Sequence, residues 1–99
     1  MTARQTTWDG PPPDRAAIEG RFREEGLSAH GWGNGPGDRY GRHAHEYDKV
    51  LYCVSGGITF HTDAGDFDLR PGDRLEVDAG TSHSATVGPE GVECLEASR

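Results

Sequence analysis

Glycine and proline cut this chain into segments too short for long helices, and that punctuation constrains its fold more than any other feature. Turn sequences stand at Gly33-Asn34-Gly35-Pro36-Gly37, Ser55-Gly56-Gly57, Asp63-Ala64-Gly65, Arg70-Pro71-Gly72-Asp73, Asp78-Ala79-Gly80-Thr81 and Gly88-Pro89-Glu90-Gly91. Between and before them lie Leu27–Trp32, Tyr40–His45, Lys49–Val54, Ile58–Thr62, Asp66–Leu69, Leu75–Val77, Ser82–Val87 and Val92–Ala97. Several of these alternate apolar and polar residues with the period of two that a half-buried strand requires, and Asp63-Ala64-Gly65 fits a tight hairpin. Lys49–Val54 is instead a nearly continuous apolar and aromatic run, as in a strand covered on both faces. About eight short strands with closely spaced turns predict an all-β sandwich or barrel.

The N-terminal part reads differently. Met1–Pro13 is polar, carries Pro11-Pro12-Pro13 and has only Trp8 as a large apolar group, so residues 1–13 are expected to form a flexible arm. Residues 14–99 are expected to be a single domain. Asp14 suits a helix N-cap, Ile18 and Phe22 form an i, i+4 apolar pair, and Gly26 stands where a helix-ending glycine belongs, which predicts one short helix over 14–25. Gly20 and Glu24-Glu25 weaken its intrinsic propensity, leaving tertiary contacts to hold it.

Charge and length exclude several functions. A formal net charge of −7 without any basic stripe argues against nucleic acid as a partner. No apolar run is long enough to span a bilayer, and no signal-like segment is visible, so a cytoplasmic protein without membrane association is expected. In that compartment Cys53 and Cys94 are expected as buried free thiols. At 99 residues with an apolar share of 32%, the chain would gain from pairing with a second copy, and a homodimer is expected.

The chemistry concentrates in one stretch. His43 and His45, two residues apart on a strand, would point to the same face roughly 7 Å apart at Cα, close enough for both imidazoles to reach one metal ion. The same parity places Tyr47, Lys49, Leu51 and Cys53 on that face. Lys49 is the only lysine among ten basic residues, and a lysine, unlike an arginine, can lose its proton on desolvation. Two readings of Lys49 stay open: it donates a hydrogen bond or proton to a metal-bound anion, or it turns aside to pair with a carboxylate. Tyr47 and Tyr40 are secondary candidates as phenol donors near the site. His30 and Trp32 share a face that would either line a barrel mouth or pack in the core, and His61, on a separate hairpin, reads as an ordinary exposed or half-buried histidine.

Two motifs in register make the chain resemble a small single-domain cupin, a double-stranded β-helix or jelly-roll barrel. Gly37, His43, His45, position 49 and Gly56 fall in the spacing of that family's first motif, and Gly72, Gly80 and His83 in that of the second, so the likeness covers residues 37–56 and 72–87. It implies that His43, His45 and His83 point into the barrel as ligands of a divalent transition metal: Fe, Mn, Ni, Cu, Co or Zn. Three positions depart from the pattern. Lys49 stands where the family places a ligand glutamate, Asp78 replaces a proline, and Val87 replaces an asparagine. A three-histidine site without a carboxylate would favour a small anionic ligand. It resembles some cupin dioxygenases in ligand count and implies dioxygenase or isomerase chemistry, or else a metal- and ligand-binding module without turnover.

Overall fold

The computed structural model describes residues 2–99. It contains β1 (Ala3–Thr6), α1 (Arg15–Glu24), β2 (His30–Asn34), β3 (Arg39–His43), β4 (Lys49–Thr62), β5 (Gly65–Leu69), β6 (Arg74–Val77) and β7 (His83–Ser98). All strand pairs are antiparallel, in the order β1-β6-β4-β7-β2, with β3 also on β7 and β5 also on β4.

Two long strands build the barrel. β4 and β7 pair from Lys49↔Ser98 to Thr62↔His83, with register shifts between Cys53 and Ser55 and between Gly56 and Ile58. On one side of those shifts β6 flanks β4 and β2 flanks β7; on the other side β5 flanks β4 and β3 flanks β7. The two halves form the facing sheets of a jelly roll. Sequence reasoning placed turns at Ser55–Gly57 and at Gly88–Gly91, but the strands continue through both, because Gly56 and Gly91 adopt φ of 71° and 77° and bend them instead. A Cβ on Gly56 would overlap the Gly91 carbonyl, so this crossing requires glycine.

The core lies between the sheets. Leu51, Cys53, Leu75, Val77 and Cys94 face Ile58, Phe60, Leu69, Ala85 and Val87, as the alternation along each strand dictates. On the outer face of the first sheet, Val50, Tyr52, Leu95 and Ala97 pack against Ile18 and Phe22 of α1. Burying each of those two helix side chains contributes about 2 kcal/mol. Asp14 caps the helix by accepting a hydrogen bond from Ala17 N at 2.9 Å, and Gly26 follows its end with φ 71°. Both cysteines are buried and free.

Three expectations need correction. Within the stretch expected to be a loose arm, Ala3–Thr6 forms β1 on the edge of β6, where Arg4 pairs with Glu76 at 3.5 Å and Asp78 at 3.3 Å. Trp8 then packs edge-on against Tyr52 and under the Arg21 guanidinium. The strand expected at Leu27–Trp32 begins only at His30, since Leu27 and Ala29 pack with the helix cluster. The strand expected to carry both histidines ends at His43, so His45 lies beyond it.

Candidate metal centre

His43, His45 and His83 converge by two different means. His43 closes β3 and is the cross-strand partner of His83, the first residue of β7, so the ladder itself sets them side by side. His45 is held by turns: Gly80 N donates to the His45 carbonyl at 2.8 Å, and Ala79 N donates to the Asp48 carboxylate at 2.8 Å. The glycine turn of the second motif thereby clamps the loop of the first. Ring centroids are 4.4 Å apart for His43 and His83, 4.8 Å for His43 and His45, and 5.3 Å for His45 and His83. One nitrogen from each ring lies within 4.8 Å of the others.

Hydrogen bonding fixes the tautomers of two rings. Nδ1–H of His83 donates to the Thr81 carbonyl at 2.9 Å and Nδ1–H of His43 to the Gly41 carbonyl at 2.7 Å, because a carbonyl only accepts. Nε2 of each neutral ring then carries a free lone pair, the form a metal requires. Nε2 of His83 and of His45 are buried with no hydrogen-bond partner. An orphaned buried polar atom costs about 1–3 kcal/mol, and both belong to the one cluster of three rings. Burial, above all, holds both rings below the usual histidine range; the Lys49 and His43 charges add to this at His45, and at His83 the Thr81 bond opposes it. Protons are disfavoured there, and a soft-to-borderline cation that accepts imidazole nitrogen suits the donor set.

A cavity of about 280 Å³ opens beside the histidines, lined by Trp32, Tyr40, His43, Lys49, Phe60, His83 and Glu96. Lys49 therefore faces the site side of the sheet as expected, although β4 starts at Lys49 and the break after His43 removes the continuous parity behind that expectation, and it is buried. Its Nζ stands 3.2 Å from Glu96 Oε1, so the pairing with a carboxylate is observed, and the lysine makes that pair from the cavity wall rather than by turning away from it. Glu96 also accepts a hydrogen bond from Trp32 Nε1 at 2.6 Å, and its second oxygen is 3.8 Å from Nε2 of the exposed His30. Sequence reasoning missed Glu96. The available signal was its inward parity on a strand next to the one carrying the only lysine, with Leu51↔Glu96 in register.

Of the other candidates, Tyr40 and Trp32 line this cavity and Tyr47, His61 and Cys53 do not. Tyr47 is 39% exposed and lies against the His45 ring at 5.0 Å, away from the cavity lining. Tyr40 does line the cavity and packs edge-on to Trp32, with burial raising its phenol pKa. His61 is bound from both nitrogens, to Asp66 at 2.9 Å and Thr86 at 3.0 Å, a cross-strand tie on the half-buried hairpin. Cys53 is pushed up to about 12 by burial, which keeps it an inert thiol.

The chain is similar to known proteins in sequence and in fold. A model of the cupin domain family matches residues 34–97. Over 49 residues the chain is 48% identical to quercetin 2,3-dioxygenase of Bacillus subtilis (strain 168), a match taking in 48% of this chain and 14% of that protein. Among solved structures, an RmlC-like cupin from Shewanella frigidimarina NCIMB 400 superposes with a TM-score of 0.65 at 26% identity, over 73% of this chain and 64% of that one. A structure from work on the DMSP lyases RdDddP and RnDddQII superposes with a TM-score of 0.63 at 31% identity, over 74% of this chain and 37% of that one. The chain thus spans only a small part of the dioxygenase and under half of the lyase structure. With the family model covering more than half of its sequence, this chain belongs to the cupin domain family.

Proposed function

We propose that this cupin is a metal-dependent enzyme acting on a small anionic molecule, with His43, His45 and His83 as ligands of a divalent transition metal. The observation that carries the reading is the pair of orphaned Nε2 atoms on His45 and His83, beside a third histidine whose Nδ1 is already engaged. A bound ion supplies a Lewis-acidic centre with open positions, and an iron or copper ion adds redox capacity.

The residues of the chain supply the rest. Three imidazoles are neutral ligands, so His43, His45 and His83 would leave a held ion its full charge, which would favour a carboxylate or enolate. Lys49 offers N–H donors to that anion from the same cavity wall. Trp32, Tyr40 and Phe60 give the space apolar walls that limit water, and the cavity volume restricts the substrate to a small molecule. Dioxygenase chemistry is favoured by the 48% identity to quercetin 2,3-dioxygenase over 49 residues, and proton-transfer chemistry, as in an isomerase or lyase, by the likeness to the DMSP lyase structure. A module that binds metal and ligand without turnover is the second reading, favoured by Lys49 at the position of the family's ligand glutamate. The protein is expected to act as a homodimer in the cytoplasm.

Metal analysis of the chain purified without a histidine tag tests the centre. Near-stoichiometric metal, or a rise in melting temperature on adding Fe(II), Mn(II), Ni(II), Cu(II), Co(II) or Zn(II), is expected. Substoichiometric metal together with no thermal response to any of these ions would refute it. Oxygen uptake by the Fe(II) form, screened against thiols, diketones and phenolic acids, separates the oxygenase from the binding module, which stays silent throughout.

A further inference from the structure

Glu96 is the one carboxylate lining the histidine cavity, and nothing in the two sequence motifs accounts for it. It is 8% exposed, and so is Lys49, its partner at 3.2 Å. Removing two charges from water is costly, and apolar residues of similar volume would fill this wall without that cost. The pair is also incomplete as a structural device. Lys49 has three N–H donors and its one ion-pair partner is Glu96, whereas Glu96 has a second, neutral donor in Trp32 Nε1 at 2.6 Å. If Glu96 gives up the lysine, the indole still holds it.

We infer that Glu96 is a specificity-determining residue: it serves as the internal counter-ion of Lys49, and an incoming carboxylate or enolate takes its place on the ammonium. The ligand class follows from the walls. Trp32, Tyr40 and Phe60 present aromatic surface beside that ammonium, which suits a planar, conjugated or aromatic acid small enough for about 280 Å³. While paired, Glu96 offsets the lysine's charge and lowers the affinity for any anion. After exchange, its carboxylate remains beside the bound acid and repels a second negative charge, so a monoanion is preferred over a dianion. The inference rests on the reading of this cavity as the substrate site, and it concerns ligand recognition, apart from metal uptake.

Benzoate, with benzamide as its neutral counterpart, is the probe. Because Lys49 is the only lysine, a chain labelled with [ζ-15N]lysine gives a single ammonium resonance, which is followed in the zinc-loaded and metal-free full chain. Benzoate is expected to move that resonance and benzamide to leave it in place. Calorimetry then reads the variants: Glu96→Gln, which keeps an acceptor for Trp32, binds benzoate about tenfold more tightly than the wild type, and Lys49→Met loses it. An unmoved resonance, an equal response to benzamide, unchanged or weaker benzoate binding by Glu96→Gln, or wild-type affinity in Lys49→Met would each overturn the inference. The resonance test needs no variant, so it stands even where a substitution impairs folding. Zinc uptake without a benzoate response sinks this inference alone, and a benzoate response without zinc uptake sinks the metal centre alone.

Discussion

The two faces of the first sheet each carry a charge cluster, and they are built to opposite rules. On the outer face Arg74 is saturated: it binds both carboxylate oxygens of Glu25, the Tyr52 hydroxyl at 2.9 Å and Glu76 at 3.1 Å, and its guanidinium lies 5.5 Å from the Tyr52 ring. The Glu25 bond, above all, pushes the arginine's pKa up, and the same bond holds the Glu25 carboxyl down. Glu76 is likewise lowered: burial alone would raise it, but Arg74 and Arg99 outweigh that. On the inner face the groups are left short of partners. Lys49 has one carboxylate, and the two buried imidazole nitrogens that the facing sheet and its loop bring into the same interior have none. A cluster whose bonds are all made ties α1 and β6 to the barrel; one with open valences is available to a ligand.

The largest expected effect separates the two faces outright. His83→Ala should weaken zinc binding by more than about 100-fold in a calorimetric titration, since it removes a ligand outright. Arg74→Met should leave zinc binding within twofold of the wild type while lowering stability by about 2 kcal/mol in urea unfolding, because it strands Glu25 and Glu76. A loss of zinc affinity in Arg74→Met would merge the two regions that the structure keeps apart.

Lys49→Glu comes next. It puts a carboxylate where the family's ligand glutamate stands and should tighten zinc binding about tenfold. The metal-free variant should melt below the wild type, because two carboxylates then face each other across the former ion pair. Equal or weaker zinc affinity would mean that position 49 does not reach the ion.

Acid should unfold the two faces in separate windows. His45 and His83 titrate lower in the folded chain than the value of about 6.5 expected when unfolded, so the unfolded state takes up protons first. The metal-free chain therefore loses stability as pH falls below about 6.5 towards the lowered values. Glu25 and Glu76, also lowered, stabilise the fold above their unfolded pKa of about 4.5 and lose that contribution only below it. Zinc should steepen the first window, since protons and metal compete for the same nitrogens, and leave the second unchanged. Melting temperatures measured from pH 7 to 3.5 with and without zinc check both; a flat profile between pH 7 and 5 in the metal-free chain would contradict the first. The smallest effect is assigned to Tyr47→Phe. The exposed ring lies against His45 and does not line the histidine cavity, so zinc affinity should change less than twofold. A larger loss would restore Tyr47 to the site.

Much of this was readable in the sequence, because the signals were local. Turn glycines at fixed distances from His43, His45 and His83 carry the resemblance to the cupin family, which implied the barrel type and the third histidine, and period-two alternation carries the inward face of Lys49, Leu51 and Cys53. What escaped depends on pairing between distant segments. Ala3–Thr6 has no apolar signature of its own and becomes a strand only because β6 offers it an edge and Asp78 and Glu76 offer Arg4 a partner. Gly56 and Gly91 read as turns because either alone would end a strand; facing each other, they bend a continuous ladder. Glu96 sits in an apolar strand where a glutamate looks like a solvent-facing residue. Its burial follows from Lys49 and Trp32 reaching it from β4 and β2, a meeting that no one stretch of sequence contains.

The most direct test of the central claim is X-ray absorption at the zinc edge of the tag-free, zinc-loaded chain. The account predicts one equivalent of zinc with three imidazole nitrogens at about 2.0–2.1 Å, and one fewer imidazole in His83→Ala. A spectrum with fewer than three imidazoles in the wild type, with sulfur from Cys53 or Cys94, or with no change in His83→Ala would contradict it.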